Sequence, residues 1–259
     1  MRPTRSKLPL AAAAAALGAA FALSGCAYNE ALGRQQVLLV DEGQLAQAAA
    51  SAWTQTLSRQ RLSNDAALNG RVSSVGQRLV QAAGAGNQAW EYRVFVNEQP
   101  NAFVLPGGKV GVNTGLFKVV QNDDQLAAVI GHEIAHTTAR HAAERYSQTQ
   151  LAQVGLGVAQ AAAGRASPTA GRAISTFGGA GAQLGYLLPF SRQHELEADR
   201  LGVDMMARAG FRPSQAVELW RNMQTQRTKA SAPQFLSTHP NDETRIAQLQ
   251  AYVQTRGYN

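Results

Sequence analysis

Gly131-His132-Glu133-Ile134-Ala135-His136 lies near the middle of a long amphipathic run in this 259-residue chain. If the run is helical, the spacing places His132 and His136 one turn apart on one face, where two imidazole nitrogens can bind a single metal ion. Glu133 then lies beside the open side of that metal. Two imidazoles with an oxygen ligand suit zinc, which keeps one coordination position for water and lowers its pKa to about 7. The stretch therefore predicts a zinc site at which Glu133 acts as the base.

The residues around this motif predict the helix that it needs. Asn122 can cap the N-terminus, Gln125 can reach back to it, and two acids lie in the first turn. The buried stripe continues as far as Arg145 and comprises Leu126, Ala127, Val129, Ile130 and Ile134. In one continuous helix His141 falls off the ligand face, and we expect it to be structural. A helix whose histidines are only capped or packed is the alternative.

The N-terminal residues predict a secreted, lipid-bearing protein. Arg2, Arg5 and Lys7 precede an apolar run from Leu8 to Leu23, which is typical of a signal peptide. Leu23-Ser24-Gly25-Cys26 resembles the bacterial lipobox, in which the cysteine is acylated and begins the mature protein. We therefore expect a lipoprotein signal peptide at 1–25, a lipidated N-terminus and tether at 26–40, and a single metallopeptidase domain at 41–259. A plain signal peptide followed by an ordinary cysteine is the alternative.

Composition limits the partners and the compartment. Loss of the three cations in 1–25 lowers the formal charge from +7 to +4, and the remaining Lys and Arg form no tract with interleaved aromatics. Nucleic acid is therefore not an expected partner. A single cysteine excludes a disulfide within the chain. By resemblance to Gram-negative lipoproteins, Ala27 after the lipobox points to an outer-membrane anchor that faces the periplasm.

Helices are expected at Asp41 to Arg61 and at Asp65 to Ala82. Strands are expected at Glu91 to Asn97, Ala102 to Leu105 and Lys109 to Asn113, with Pro106-Gly107-Gly108 as the turn between the last two. We predict a small sheet beside the catalytic helix whose edge holds an extended peptide, with a hairpin that only packs as the alternative.

Two later segments carry further signals. Leu151 to Ala182 is rich in Ala, Gly and Gln, and it predicts two loosely packed helices that cover the site or touch a membrane surface rather than span it. On a helix from Ser191 to Gly202, Glu195 and Asp199 share one face and Glu197 points away from it. That face can supply a zinc ligand and a carboxylate that orients a ligand histidine. The alternative is a solvated, charged helix face.

Taken together, these motifs resemble the HtpX and CAAX-prenyl-protease group of zinc metallopeptidases, which are gluzincins with H-E-x-x-H followed by E-x-x-x-D. His132-Glu133-x-x-His136 and Glu195-x-x-x-Asp199 match that form, and the stretches 101–108, 113–116 and 237–240 match in the same order. The resemblance implies an α+β, mostly helical zincin-like fold that binds one zinc ion per chain. It also implies the roles of five residues: His132, His136 and Glu195 as zinc ligands, Glu133 as the base, and Asp199 as the partner that orients a ligand.

His239 is a further residue that the resemblance singles out. In outer-membrane members of the group, a histidine in a matching Thr-His-Pro loop can reach the zinc and hold the enzyme latent. His239 is thus a candidate fourth ligand, gate or oxyanion donor. The alternative is a neighbour of the N-cap of a helix that starts at Pro240.

The sequence thus predicts a compact, lipid-anchored zinc endopeptidase that hydrolyses unfolded or misassembled envelope proteins as quality control. A chaperone or assembly factor with a mainly structural or gating zinc site is the main alternative. A peptidase for prenylated or lipidated substrates, and a non-catalytic lipoprotein with an accidental motif, are the others.

Overall fold

The computed structural model describes residues 26–166, 191–226, 235–239 and 243–258. The described chain forms these strands: β1 (Cys26–Asn29), β2 (Arg34–Val37), β3 (Glu91–Phe95), β4 (Ala102–Leu105) and β5 (Lys109–Asn113). Its α-helices are α1 (Glu42–Arg59), α2 (Ala66–Ala82), α3 (Asp123–Thr138), α4 (His141–Ala166), α5 (Arg192–Arg208), α6 (Ser214–Gln226), α7 (Phe235–Thr238) and α8 (Glu243–Thr255). A 3-10 helix, Thr114–Lys118, follows β5.

Helix α3 is the centre of the domain. Every residue from Gln125 to His136 is buried, and the helix packs against α2, α5, α6 and strand β4. Asn122 caps it by accepting a hydrogen bond from the Gln125 backbone N–H at 2.9 Å. The Gln125 side chain reaches back to the Gln121 backbone N–H at 3.0 Å. The predicted helix start is therefore confirmed.

The small sheet lies directly beside α3. Its strand order is β3-β5-β4, with β3 parallel to β5 and β4 antiparallel to it. Gly107 and Gly108 form the turn with φ of 82° and 76°, a region that suits glycine. Strand β4 pairs only with β5 in the described chain, so it is the edge strand next to α3. The predicted α+β, mostly helical fold with a small sheet beside the H-E-x-x-H helix is confirmed.

The catalytic helix ends earlier than the sequence predicted. Instead of running to Arg145, α3 stops at Thr138, and α4 begins at His141. Arg140, between them, has a left-handed backbone with φ of 59°. The Ala139 carbonyl accepts a hydrogen bond from Gln36 Nε2 at 2.8 Å. The continuous helix was wrong because this contact with the N-terminal strands satisfies a carbonyl at the helix end.

The first described residues fold back onto the domain. Strands β1 and β2, within the range predicted as the tether, form an antiparallel hairpin, and β2 contacts α4. Arg34 and Gln36 on β2 hold it there through polar contacts with Glu144 on α4. These pairings join residues more than a hundred positions apart, so local sequence patterns gave no sign of them.

The described part of Leu151 to Ala182 belongs to α4, which runs to Ala166, and the rest of that prediction lies outside the described residues. None of the helices in the described ranges combines the length and the apolar character that crossing a bilayer requires.

Candidate metal centre

Helix α3 brings its two histidines together at one point. His132 Nε2 and His136 Nε2 are 3.1 Å apart. Both residues are buried, with exposed fractions of 2 % and 5 %. The one-turn spacing therefore gives the convergence that the motif predicted. Glu133 points from the same helix and is also buried.

Helix α5 crosses α3 and adds two carboxylates. Glu195 lies between the histidines, with its two oxygens 3.4 Å from His132 Nε2 and 3.3 Å from His136 Nε2. Asp199 Oδ1 lies 2.9 Å from His132 Nδ1 on the other edge of that ring. The shared helix face predicted for Glu195 and Asp199 thus meets the histidines of α3.

His239, after the short helix α7, completes the cluster. Its Nδ1 lies 3.0 Å from Glu195 Oε1 and 3.2 Å from His132 Nε2. Its Nε2 lies 3.3 Å from Glu133 Oε1. The ring stacks on Phe235, with a centroid distance of 4.5 Å. All six predicted site residues are therefore in one cluster, whereas Cys26 is exposed at the start of β1.

The donor set fits zinc. His132, His136, Glu195 and His239 each offer a ligand atom, and these atoms lie within 4.8 Å of one another. Ligands held tetrahedrally at zinc distances are about 3.3 Å apart, which matches the separations between the two histidines and Glu195. Glu133 Oε1 is buried and has no hydrogen-bond partner among the described residues, which leaves it available to a water at the centre.

Burial and pairing set the charges at the site. Burial raises the pKa of Glu133, and burial lowers that of His136. For His132, burial opposes protonation, but hydrogen bonds to Asp199 and Glu195 outweigh it and raise the pKa to about 9. Because a proton then competes with a metal for His132, a metal ion held by His132 would have to displace that proton.

The two carboxylates on α5 remain anionic. Burial would raise the pKa of Glu195, but close contacts with the rings of His132, His136 and His239 hold it well below its usual range. Burial likewise opposes ionisation of Asp199, and Arg245 outweighs it and lowers the pKa. Both carboxylates therefore offer anionic oxygens at the centre.

Arg245 on α8 is a site residue that the sequence analysis missed. Its guanidinium donates to both oxygens of Asp199 at 2.7 and 2.8 Å and lies 2.6 Å from Glu195 Oε2. It also lies over the Trp220 ring, 4.2 Å from the centroid. One signal was present: Arg245 is four residues before Leu249 on an apolar stripe, and a charge in such a position requires a buried partner.

His141 makes a contact that the sequence did not indicate. The break at Arg140 brings its ring behind His136, where His141 Nδ1 lies 2.9 Å from His136 Nδ1. An uninterrupted helix would have kept the two rings apart. No local pattern indicated this contact, because it depends on the break itself.

A cleft leads to the cluster from the surface. It has a volume of about 530 Å³, and its lining includes Glu133, His136, Val104, Leu45 and Arg140. Val104 on the edge strand β4 lines this cleft together with Glu133. The edge strand and the candidate base therefore share one wall of the cleft.

An H-E-x-x-H helix crossed by a helix that brings a glutamate, beside a small sheet with a free edge, defines a zincin-type peptidase domain. The chain belongs to peptidase family M48, whose sequence profile matches residues 66–253. This confirms the resemblance to zinc metallopeptidases.

Relatives in the family include fungal and bacterial proteins. The chain is 37 % identical over 185 residues to the mitochondrial metalloendopeptidase OMA1 of Schizosaccharomyces pombe, covering 70 % of this chain and 52 % of that protein. It is 33 % identical over 226 residues to OMA1 of Saccharomyces cerevisiae, covering 78 % and 61 %. With the beta-barrel assembly-enhancing protease of Escherichia coli K12 it shares 36 % identity over 191 residues, covering 72 % and 39 %. The chain thus spans roughly two fifths to three fifths of these relatives.

Proposed function

We propose that this protein is a zinc-dependent metalloendopeptidase in which His132, His136 and Glu195 bind one zinc ion and Glu133 is the catalytic base. The observation that carries the proposal is the buried Glu133 carboxylate, which lies between the converging ligands and a cleft open to the surface. Zinc at such a site supplies Lewis acidity and lowers the pKa of water.

The chain's own groups would bind and orient the substrate. Asn113 N–H donates to the Asn101 carbonyl, so the alternation of an antiparallel ladder turns the backbones of Ala102 and Val104 toward the outer edge of β4. An extended peptide can pair with that edge beside Glu133. Glu133 then takes a proton from the attacking water and delivers it to the departing amine.

His239 is proposed as a gate. Its ring lies between Glu133 and Glu195, in contact with both, where a substrate carbonyl and the attacking water need space. Held there, His239 blocks the reaction and can act as a fourth ligand. Displaced slightly, its N–H can donate to the tetrahedral oxyanion.

The proposed substrates are unfolded or misassembled envelope proteins, because a cleft with a strand edge accepts an extended segment that folded proteins seldom offer. The proposed location is the outer membrane, with an acyl anchor on Cys26 and the domain facing the periplasm. The lipobox and the exposed position of Cys26 support it, as does similarity to a bacterial relative named for beta-barrel assembly. That name also supports the alternative of an assembly factor with a gating zinc site.

The decisive experiment compares full-length wild type with Glu133→Gln, His239→Ala and Glu218→Gln in detergent, using an unfolded protein as substrate and measuring bound zinc. Glu218 pairs with Arg221 on the surface and is the control. We expect one zinc per chain throughout, a loss of about 100-fold or more with Glu133→Gln, and faster cleavage with His239→Ala.

Four results would contradict the proposal or a part of it. Cleavage by Glu133→Gln at the wild-type rate would remove Glu133 as the base. Stoichiometric zinc with no cleavage by any of these proteins would favour the assembly factor, and full biological activity of Glu133→Gln would do the same. A trapping Glu133→Gln variant that recovers only folded, specific clients would contradict quality control.

A further inference from the structure

A second buried polar cluster lies behind His136, on the Nδ1 edge of its ring. His136 Nδ1 is 2.9 Å from His141 Nδ1, and His141 Nε2 is 3.1 Å from Glu197 Oε2. Glu197 accepts two hydrogen bonds from Arg34, at 2.6 and 2.8 Å. His141 is fully buried, so this chain of contacts runs through the interior from the N-terminal hairpin to the metal centre.

The order of donors and acceptors along this chain fixes the tautomer of His136. Glu197 is ionised and can only accept, so His141 Nε2 carries the hydrogen that it donates to Glu197. With its hydrogen on Nε2, His141 directs the Nδ1 lone pair to His136 and accepts a hydrogen bond from His136 Nδ1–H. The Nε2 of His136 is left with its lone pair directed at His132 and Glu195, as metal binding requires.

We propose that His141, Glu197 and Arg34 are positioning residues that fix the tautomer and ring orientation of His136 as a metal ligand. The inference rests on the zinc site proposed above. The other ligand has a comparable arrangement, since His132 Nδ1 faces Asp199 and Asp199 is held by Arg245. In both cases an arginine fixes a carboxylate. On the His132 side that carboxylate contacts the ligand directly, whereas on the His136 side one additional histidine lies between the carboxylate and the ligand.

Arg34 extends the site to a part of the chain outside the family match at 66–253. Its guanidinium also donates to both oxygens of Glu144, at 2.7 and 2.9 Å, and so joins α4 to α5 through strand β2. Gln36, two residues further on, donates to Glu144 at 2.7 Å. The N-terminal hairpin therefore completes the support of His136.

A second metal site is the rival explanation, because ligand atoms of His141, His194 and Glu197 lie within 4.8 Å of one another. Arg34 argues against it. Its guanidinium already supplies positive charge to Glu197 and Glu144 through four hydrogen bonds. A metal ion would have to displace that guanidinium group, whose forked N–H donors match the geometry of a carboxylate.

The test uses the full chain in a Glu133→Gln background, so that peptidase activity is not the readout. Cobalt(II) replaces zinc, and its affinity and visible absorption spectrum report the ligand geometry, while ¹⁵N shifts of the His136 ring in the zinc-loaded protein report the tautomer. The variants are Glu197→Gln, Arg34→Met and Arg34→Lys. Arg71→Met is the matched control, because Arg71 makes a comparable pair with Asp123 away from His136.

We expect Glu197→Gln and Arg34→Met to lower metal affinity about 10- to 100-fold, to change the cobalt spectrum and to mix the His136 tautomers. Arg34→Lys keeps the charge but not the fork, so it should restore only part of the affinity. Arg71→Met should match the parent. If Arg34→Met does not fold, Glu197→Gln and Arg34→Lys carry the test.

Three outcomes overturn the inference: unchanged affinity and spectrum in folded Glu197→Gln and Arg34→Lys, a second metal equivalent that Glu197→Gln removes, or no metal binding by the parent. The first leaves the proposed peptidase intact when wild type still cleaves. Conversely, metal affinity that depends on Glu197 in a protein that never cleaves would support the positioning residues and contradict the peptidase.

Discussion

At the scale of single residues, Gly202 sets the distance between the two helices that carry the proposed ligands. A Cβ on Gly202 would lie 3.1 Å from the His132 backbone nitrogen and 3.2 Å from the Gly131 carbonyl carbon. Backbone atoms in a packed helix cannot move aside easily. Glycine at 202 therefore allows α5 to approach closely enough for Glu195 to reach both histidines.

We predict that Gly202→Ala destabilises the protein by about 1–2 kcal/mol, because overpacking exceeds the gain in helix propensity. It should also weaken zinc binding, since Glu195 shifts away from His132. Urea unfolding and a zinc titration measure the two effects.

Gly70→Ala is the control for that prediction. Gly70 is exposed on α2, and a Cβ there would meet nothing within 4 Å. It should stabilise the protein by about 0.5–1 kcal/mol and leave zinc affinity unchanged. Equal behaviour of the two alanine variants would show that the helix crossing tolerates a methyl group.

The residues of the site differ in how far sequence could predict them. The spacing of His132 and His136 follows from helix geometry, as does the shared face of Glu195 and Asp199, so their convergence required only that the helices form. That these pairs meet, and that His239 joins them, came from family resemblance. Arg34 was beyond prediction, because its partners lie more than a hundred residues away and a single arginine on a short strand carries no periodic signal.

At the scale of elements, the break between α3 and α4 is what brings His141 into contact with His136. The break falls at Arg140, which adopts φ of 59° and pairs with Glu42 across the cleft wall. Both side chains of that pair are about half exposed, 45 % and 58 %, so the ion pair contributes little. The left-handed backbone conformation therefore matters more at this position than the ion pair does.

We predict that Arg140→Gly is neutral or stabilising by up to about 1 kcal/mol, because glycine adopts the left-handed region without strain. Arg140→Val should destabilise by about 1–2 kcal/mol, because a β-branched side chain resists it. Thermal and urea unfolding of the two variants provide the comparison. A valine variant as stable as the glycine variant would mean that the break does not need a positive φ.

The sequence predicted most of the helices and strands but not the break between α3 and α4, and there is a physical reason for the difference. Caps, periodicity and the Pro-Gly-Gly turn are local signals, and they placed α1, α2, the start of α3 and strands β4 and β5 within a few residues. The end of α3 is decided by Gln36, which competes for the Ala139 carbonyl from the N-terminal hairpin. A hydrogen bond between segments that are distant in sequence cannot be predicted from a window of neighbouring residues.

At the scale of the whole molecule, charged contacts attach the N-terminal hairpin to the domain. The Glu144 carboxylate is in hydrogen-bond contact with Arg34, Gln36 and His194, and the His194 Nε2 lies 3.2 Å from Glu144 Oε2. The Glu144 side chain is only 5 % exposed. Burial opposes ionisation of Glu144, but the hydrogen bonds from Arg34 and Gln36 outweigh it and lower the pKa below 4.5. Burial also lowers the pKa of His194, so this ring is neutral at pH 7.

The lowered pKa of Glu144 predicts how stability depends on pH. The folded state holds the proton less tightly than the unfolded state, so the contribution of Glu144 is complete above about pH 4.5 and is lost as the pH falls through the folded-state pKa. At pH 7 we expect Glu144→Gln to lower the free energy of unfolding by about 1.5–3 kcal/mol, since a charged hydrogen-bond acceptor is lost. Below about pH 4 the gap between wild type and variant should narrow, because wild type is then protonated as well.

Urea unfolding of both proteins across this pH range tests the prediction, with Glu218→Gln as the control. Glu218 makes an exposed pair with Arg221, so that variant should stay within about 0.5 kcal/mol of wild type at every pH. Arg34 and His194 are present in wild type and variant alike, so the change in the gap isolates Glu144. A gap that stays constant as the pH falls would mean that Glu144 stabilises the hairpin by its shape rather than by its charge.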